Sequence, residues 1–535
     1  MASYLAANLD KQADRQSALC RWDQSYTKIS STFTRFALPI LWDFCEGNPF
    51  SDATGNWISC GEWVAEVLEH VLAFPPSCEK PKVGQTSATR AVTGQYDVVL
   101  TDPPYYDAIP YSDLMDFFYV WLRRMLHGLS PELGAAFAEA LSPKWDNSRN
   151  DGELIDDASR HGGDAAKSKA AYEDGMAQVF QACHAALVPA GRLVIVFAHK
   201  HPDAWETLVS AIIRAGFVVD ASWPIQTEMG NRSRAHGSAA LASSVWLVCR
   251  KRAESAKAGW DNRVMEAMHA NIATCLREFW DAGIRGPDFV WAATGPALEA
   301  YSQHPVVKKA NNPNQIMEVH EFLKQVRRMV VDFVVGRVLS GDGAESDMAA
   351  ADRLDEVTAY YLLHRHDFRM DEAPIGACIL YAVSCGLSDA ELCNTWDILA
   401  RVGGNQTAED EDSEESEDDG EAEPEADASG GSKVRLKTWA QRKAKSMGYE
   451  AAGGRAVPLI DRVHRLMHLW KEGDLAKVDE YLDDNALRRH ELFKRLLQSL
   501  IELSAAGSEE RALLESLSNH LGAKGARDDR QGRLL

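Results

Sequence analysis

Tyr96-Asp97-Val98-Val99-Leu100-Thr101-Asp102-Pro103-Pro104-Tyr105 is the stretch on which the reading of this chain turns. The β-branched, apolar run from Val98 to Leu100 stops at an acid, two prolines and an aromatic ring. Such a run predicts a short strand buried on both faces, as parallel strands of α/β domains are. Pro103 and Pro104 end it, because proline gives the ladder no N–H and fixes φ; they also hold Asp102 extended. The product is a stiff loop at a strand's carboxyl end, where open α/β sheets place ligands.

The chemistry of that loop is to accept. A carboxylate and prolyl carbonyls outside the ladder take hydrogen bonds and give none, so Asp102 and Pro103 suit a group presenting two N–H bonds. Tyr105 adds a flat face for stacking. The exocyclic amine of a nucleobase meets both conditions. It is a poor nucleophile, since its lone pair is spread into the ring. Two acceptors on its hydrogens push the nitrogen toward a tetrahedral, nucleophilic form, which is preorganised electrostatic help rather than strong-base chemistry.

Outward from this stretch the chain divides by composition. Residues 1–75 read as a helical segment, with apolar stripes at Phe33, Phe36, Leu38, Leu41, Trp42 and Phe44 and again at Trp63, Val64, Val67, Leu68 and Val71. Residues 76–252 form an α/β core. It holds a possible short strand at Val83–Ala88, the strand at 98–100, and an aromatic helix around Leu114–Leu122. A polar insertion over 128–168, expected to be mobile, leads to a helix near 170–187 and a strand at Arg192–Phe197. A helix from 203 to 215 precedes Phe217–Ala221 and Ser243–Cys249, which pair as an antiparallel hairpin. The loop between them, with Arg232, Arg234, Asn231 and His236, could meet phosphates or could be a plain charged loop.

Residues 253–404 carry helical patterns, with a turn expected at Thr294-Gly295-Pro296, a long helix through Val319–Val334, and further helices near 353–364 and 373–400. Residues 405–434 read as an acidic disordered linker, and 435–535 as a helical C-terminal domain. Lys433, Arg435, Lys437, Arg442, Lys443 and Lys445 form a basic segment that either binds nucleic acid or associates with the acidic run beside it; the second is preferred.

Net charge is −22, which looks wrong for a nucleic-acid binder, but thirteen acids lie between Glu409 and Asp427, leaving about −9 elsewhere. At 535 residues two or three domains are expected. No run approaches the ~18 apolar residues of a membrane span, and the N-terminus lacks a secretory pattern. Ten scattered cysteines without a C-x-x-C pair suit a reducing cytoplasm. The pairs His199/His201 and His364/His366 lack Cys or carboxylate partners at ligand spacing, so loop or cap roles are preferred and no metal is expected.

Asp102-Pro103-Pro104-Tyr105 resembles the catalytic motif of the amino-methyltransferases, which methylate adenine N6, cytosine N4 or related amides with S-adenosylmethionine. The leading Asp is the form most typical of adenine enzymes. Together with Tyr106-Asp107-Ala108-Ile109-Pro110-Tyr111, Phe197-Ala198-His199-Lys200, Ser222-Trp223-Pro224 and Thr227-Glu228-Met229, it is similar to the large adenine-specific DNA methylases of phage-defence islands. Leu187-Val188-Pro189-Ala190-Gly191 also resembles that family's Leu-x-Pro-Gly-Gly turn, with Ala190 for the first glycine.

The resemblance implies a partial Rossmann-like methyltransferase sheet followed by mainly α-helical C-terminal domains. It implies S-adenosylmethionine as cofactor, duplex DNA as partner, base flipping, and a place in a defence or restriction-modification-type system. Asp102, Pro103, Pro104 and Tyr105 would then be catalytic, with Tyr106, Asp107, Arg232 and Arg234 against the substrate. One part of the family pattern is missing. Its glycine-rich cofactor loop after the first strand is not found, since Gly47 stands alone and Gly341-Asp342-Gly343 follows a helix. The chain therefore looks like the C-terminal portion of such an enzyme, either a split-gene subunit whose partner chain supplies that loop or a product begun at an internal methionine that lacks its N-terminal part. Three rivals stay open: an RNA or protein N-methyltransferase, a non-catalytic DNA-binding or assembly subunit, and a scaffold whose function lies in residues 255–535.

Overall fold

The computed structural model describes the chain except residues 24–27, 34–37, 39, 43, 53–54, 75–80, 91–92, 107–108, 143, 145, 147–148, 150, 200–201, 226–243, 341–353, 403–432, 451–454 and 532–535. It is a mixed α/β protein, mostly helical, that separates into two compact units. One comprises Met1–Gln95 with Pro104–Ala186, the other Tyr96–Pro103 with Leu187–Leu535. The division falls inside the proline motif.

In the first unit, helix α1 (Ala2–Gln16) lies against α2 (Trp57–Leu72). Gln12 donates to the Gly55 carbonyl at 2.8 Å, and the Asn56 side chain caps α2 by accepting from the Ser59 amide. No helix forms among the described residues of 33–44. Leu38, Trp42 and Phe44 are exposed there, and Pro39 sits where a helix interior would be.

The expected strand at 83–88 does not form either. Helix α3 (Tyr111–Leu126) does, burying Tyr119 and Leu126. The segment after it is built rather than loose. Lys144 bonds Asp116 at 2.8 Å, Glu153 accepts from the Ser112 amide at the head of α3, and Arg160 pairs with Glu153 and Asp113. Those ion pairs explain why a polar composition gives an ordered structure. Helix α4 (Ala165–Ala186) closes the unit, with Ser168, Tyr172, Met176 and Phe180 buried.

The second unit is organised on a four-stranded sheet of order β1-β2-β4-β3, where β1 is Tyr96–Thr101, β2 Leu187–Phe197, β3 Phe217–Ile225 and β4 Ser244–Lys251. Strands β1 and β2 run parallel, and β4 is antiparallel to both of its neighbours. Leu193, Ile195, Phe197, Phe217, Val219, Leu247 and Cys249 are fully buried. Helix α5 (Pro202–Arg214) adds Trp205, Leu208, Val209 and Ile212 to that core.

The expectation of a strand buried on both faces is corrected for β1. Val98 is 58% and Leu100 60% exposed. An apolar run signals a central strand only when a further strand or a helix covers its other side, and β1 pairs with β2 alone among the described strands.

Helix α6 (Gly286–Ser302) packs across β3 and runs straight through Thr294-Gly295-Pro296, where a turn was expected. Beyond it, α7 (Val319–Ser340) lies against α8 (Glu356–Phe368). The helix expected over 373–400 stops at Ser384, with Gly386 in a left-handed conformation (φ 74°).

Three short strands flank that helix in sequence, β5 (Ala373–Pro374) before it and β6 (Leu399–Val402) and β7 (Lys433–Leu436) after it, with β7 paired between the other two. Lys433 and Val434, expected in the linker, thus belong to a sheet whose other strands precede the acidic run. Half of the basic segment is engaged within the folded unit. Lys433 pairs with Glu372 at 3.0 Å, Lys437 with Asp397, and Arg442, 1% exposed, with Asp461 at 2.6 Å. Three of its six charges are thus taken by acids of the folded unit, while Arg435, Lys443 and Lys445 are exposed.

Helices α9 (Leu459–Lys471), α10 (Glu491–Leu503) and α11 (Glu509–Gln531) complete the unit. Helix α9 packs on α8 and α11, and α10 packs on α7. Among the described residues no helix is long and apolar enough to cross a membrane.

Candidate functional site at the end of strand β1

Strand β1 ends at Thr101, and the next residue, Asp102, is exposed at its carboxyl end. Pro103 is buried, which anchors the acid's C-terminal neighbour. This half of the motif belongs to the sheet unit, and its register on β2 is set by Thr101 opposite Ile195. Gly191 makes that register possible. A Cβ there would lie 3.0 Å from the Asp97 carbonyl oxygen of β1 and 2.9 Å from Leu187 Cδ2. The neighbouring Ala190 is exposed, and Leu187–Gly191, expected as a turn ahead of the strand, is itself part of β2.

Pro104, Tyr105 and Tyr106, all half-buried, belong to the first unit. Tyr106 sits in the left-handed region at φ 56°. For a non-glycine residue that costs about 1–2 kcal/mol. Its surroundings offset the cost. The Tyr106 amide donates to Tyr172 Oη and to the Pro104 carbonyl, both at 3.1 Å. The Tyr172 hydroxyl donates to the Pro104 carbonyl at 2.7 Å. The Tyr106 carbonyl accepts from the Asp156 amide at 3.2 Å, and the Asp156 carboxylate is held by the Ser168 hydroxyl at 2.5 Å. The two tyrosine rings meet edge to face with centroids 5.4 Å apart. At about 0.5–1.5 kcal/mol net per hydrogen bond, these contacts outweigh the strain.

Of the residues expected against the substrate, Tyr106 is placed beside the motif, while Asp107, Arg232 and Arg234 lie outside the described residues. Tyr172 and Ser168 were missed by sequence reasoning. Their four-residue spacing on α4 is a signal, though every helix supplies many such pairs.

The residues for a cofactor do not fit. Gly47, the isolated upstream glycine, faces its own chain, where a Cβ would come within 2.7 Å of Gln16 Oε1 and Ile29 Cδ1. Gly341 and Gly343 lie outside the described residues. No described loop of this chain offers an open glycine cradle after a strand. A cavity lined by Trp280, Arg285, Phe289, Asp367 and Tyr381 occurs in the helical region, and at about 10 Å³ it has room for one water rather than a purine.

Of the histidine pairs, His199 and His364 are buried in packing. His199 is 6% exposed with its carbonyl accepting from Trp205 Nε1 at 3.0 Å, and His364 is enclosed by Tyr360 and Cys378. His201 lies outside the described residues. Among the described residues no group of three His, Cys, Asp or Glu side chains is placed to hold a metal ion. Comparison of the chain with protein-family models, with curated proteins and with solved structures finds no match.

Proposed function

We propose that this chain is the base-gripping part of an S-adenosylmethionine-dependent DNA methyltransferase acting on adenine N6. The observation that carries the reading is the exposed carboxylate of Asp102 at the carboxyl end of a parallel strand, with a buried proline directly behind it. In this reading a flipped adenine presents its amino group to Asp102 and to the Pro103 carbonyl, which take its two hydrogens. Flipping costs a few kcal/mol, and stacking on Tyr105, worth about 1–3 kcal/mol, offsets much of it. The antiparallel β3–β4 hairpin closing the sheet supports the same fold family.

Because no described loop fits the methyl donor, the proposal includes a partner chain that supplies the cofactor loop. The site is a cytoplasmic one in this reading, within a defence-type modification system.

The test is transfer of labelled methyl from S-adenosylmethionine to duplex DNA, RNA and protein offered together. The enzyme is this chain purified alone and, separately, recovered with whatever binds it in its own cells. Label in duplex DNA, lost in Asp102→Ala while the circular dichroism melt is unchanged, is the expected result. An active Asp102→Ala variant removes the proposal.

The missing cradle favours one second reading, a non-catalytic DNA-binding or assembly subunit. DNA binding with no measurable donor binding and no transfer in either preparation would establish it.

A further inference from the structure

We propose that Tyr172 is a positioning residue for the motif, with Ser168 one helical turn before it as its second support. The inference rests on the methyltransferase reading for its consequence, but its geometry stands within one compact unit.

Tyr172 is 2% exposed and Ser168 fully buried, so neither side chain can meet substrate. What they do is hold Tyr106 from both sides. The Tyr172 hydroxyl gives its proton to the Pro104 carbonyl and accepts from the Tyr106 amide, bridging the residues on either side of Tyr105. Ser168 secures Asp156, whose amide secures the Tyr106 carbonyl. Helix α4 thus clamps the two peptide groups that flank the ring expected to stack on the base. A left-handed tyrosine relaxes toward ordinary backbone unless its surroundings determine it, and here one rigid helix does so. Relaxation would rotate the peptide after Tyr105 and spoil a near-attack arrangement.

The test is Tyr172→Phe, which keeps the edge-to-face ring contact and removes only the hydroxyl. Two readouts are taken on the preparation used for methyl transfer. Hydrogen exchange at the Tyr106 amide should become severalfold to about tenfold faster, since one of its two acceptors is gone and the Pro104 carbonyl, which remains, loses the Tyr172 hydroxyl that fixes it. The kcat for methyl transfer should fall about tenfold while KM for the donor stays within twofold, because Tyr172 acts on the motif and not on the cofactor. Ser168→Ala should give the same signs at smaller size.

Unchanged exchange at Tyr106 overturns the clamp. Faster exchange with unchanged kcat overturns the positioning role. If the wild-type chain transfers no methyl group to any substrate, the methyltransferase reading fails, and the exchange result still decides whether the clamp exists.

Discussion

The Ser222 hydroxyl donates to the carbonyl of Ala292 at 2.8 Å, and this joins β3 to α6 at the one place where the helix would come apart. Ala292 is four residues before Pro296, so its carbonyl is the acceptor that a proline at 296 cannot serve. Ser222 serves it instead, and the same oxygen accepts from the Gly295 amide at 3.1 Å. Gly295 is the only residue type that fits, since a Cβ there would run into Ser222.

Ser222→Ala follows as a first prediction. It leaves the buried Ala292 carbonyl and the Gly295 amide without this partner, and should destabilise the sheet-bearing unit by about 1–3 kcal/mol. Urea unfolding monitored by tryptophan fluorescence is the measurement, because Trp205 and Trp291 stack with centroids 4.3 Å apart across the same region. A midpoint equal to wild type would mean that the bond is not what keeps α6 continuous.

That helix also shows where sequence reasoning runs out. Thr294-Gly295-Pro296 carries every local sign of a turn, and the compensation comes from a serine about seventy residues earlier. Nothing in the local pattern encodes it. The strand before the motif, the strand at 192–197, the hairpin and α3 were legible because each is a continuous apolar run or a periodic stripe. The burial of β1 was not, because it depends on what lies beside the strand rather than on its own residues. The partners of the basic segment were hidden for a related reason: composition counts charges, whereas Asp397 and Asp461, which neutralise two of them, are brought near only by folding. At the motif itself, Asp102 after a strand was legible. The left-handed Tyr106 and its support from Tyr172 were not, since φ sign is rarely visible in a non-glycine residue.

Gly191→Ala is a second prediction, and it probes the register that sets Asp102. The new methyl group would press on the Asp97 carbonyl at 3.0 Å, the Val188 carbonyl at 3.1 Å and Leu187 Cδ2 at 2.9 Å. Two of these are backbone atoms of a paired ladder, so relief requires β1 to move off β2. The expected cost is about 1–3 kcal/mol in chemical denaturation. Gly134, in the short helix Pro131–Ala136, has nothing within 4 Å of an added Cβ. Gly134→Ala should therefore be neutral or stabilising by up to about 1 kcal/mol. If both variants melt alike, the close approach at Gly191 carries no energy.

The third prediction concerns acid. His364 and His464 are essentially inaccessible to solvent, at 0% and 1% exposure. Burial pulls His364 down to about 4, with the nearby Arg365 adding to the effect and Asp367 opposing it. Burial likewise drives His464 well below its ordinary value, and the Arg442 guanidinium beside it pushes the same way. The bond geometry agrees, because Arg442 Nη1 donates to His464 Nδ1 at 2.8 Å, which requires a neutral ring with that nitrogen bare.

Both histidines therefore stay neutral in the folded unit while the unfolded chain protonates near pH 6.5. The stability they contribute is complete above about pH 6.5 and is lost as pH falls from there toward 4, where the unfolded state holds the extra protons. For His364 alone the loss is on the order of 3 kcal/mol. Asp461, whose carboxyl is raised by burial, acts in the opposite sense and shallows the slope. Urea midpoints between pH 7.5 and 4.5 should fall steadily. His364→Gln, which cannot charge, should flatten that fall while lowering the midpoint at neutral pH. An unaltered slope in His364→Gln would show that His364 is not one of the groups resisting the proton.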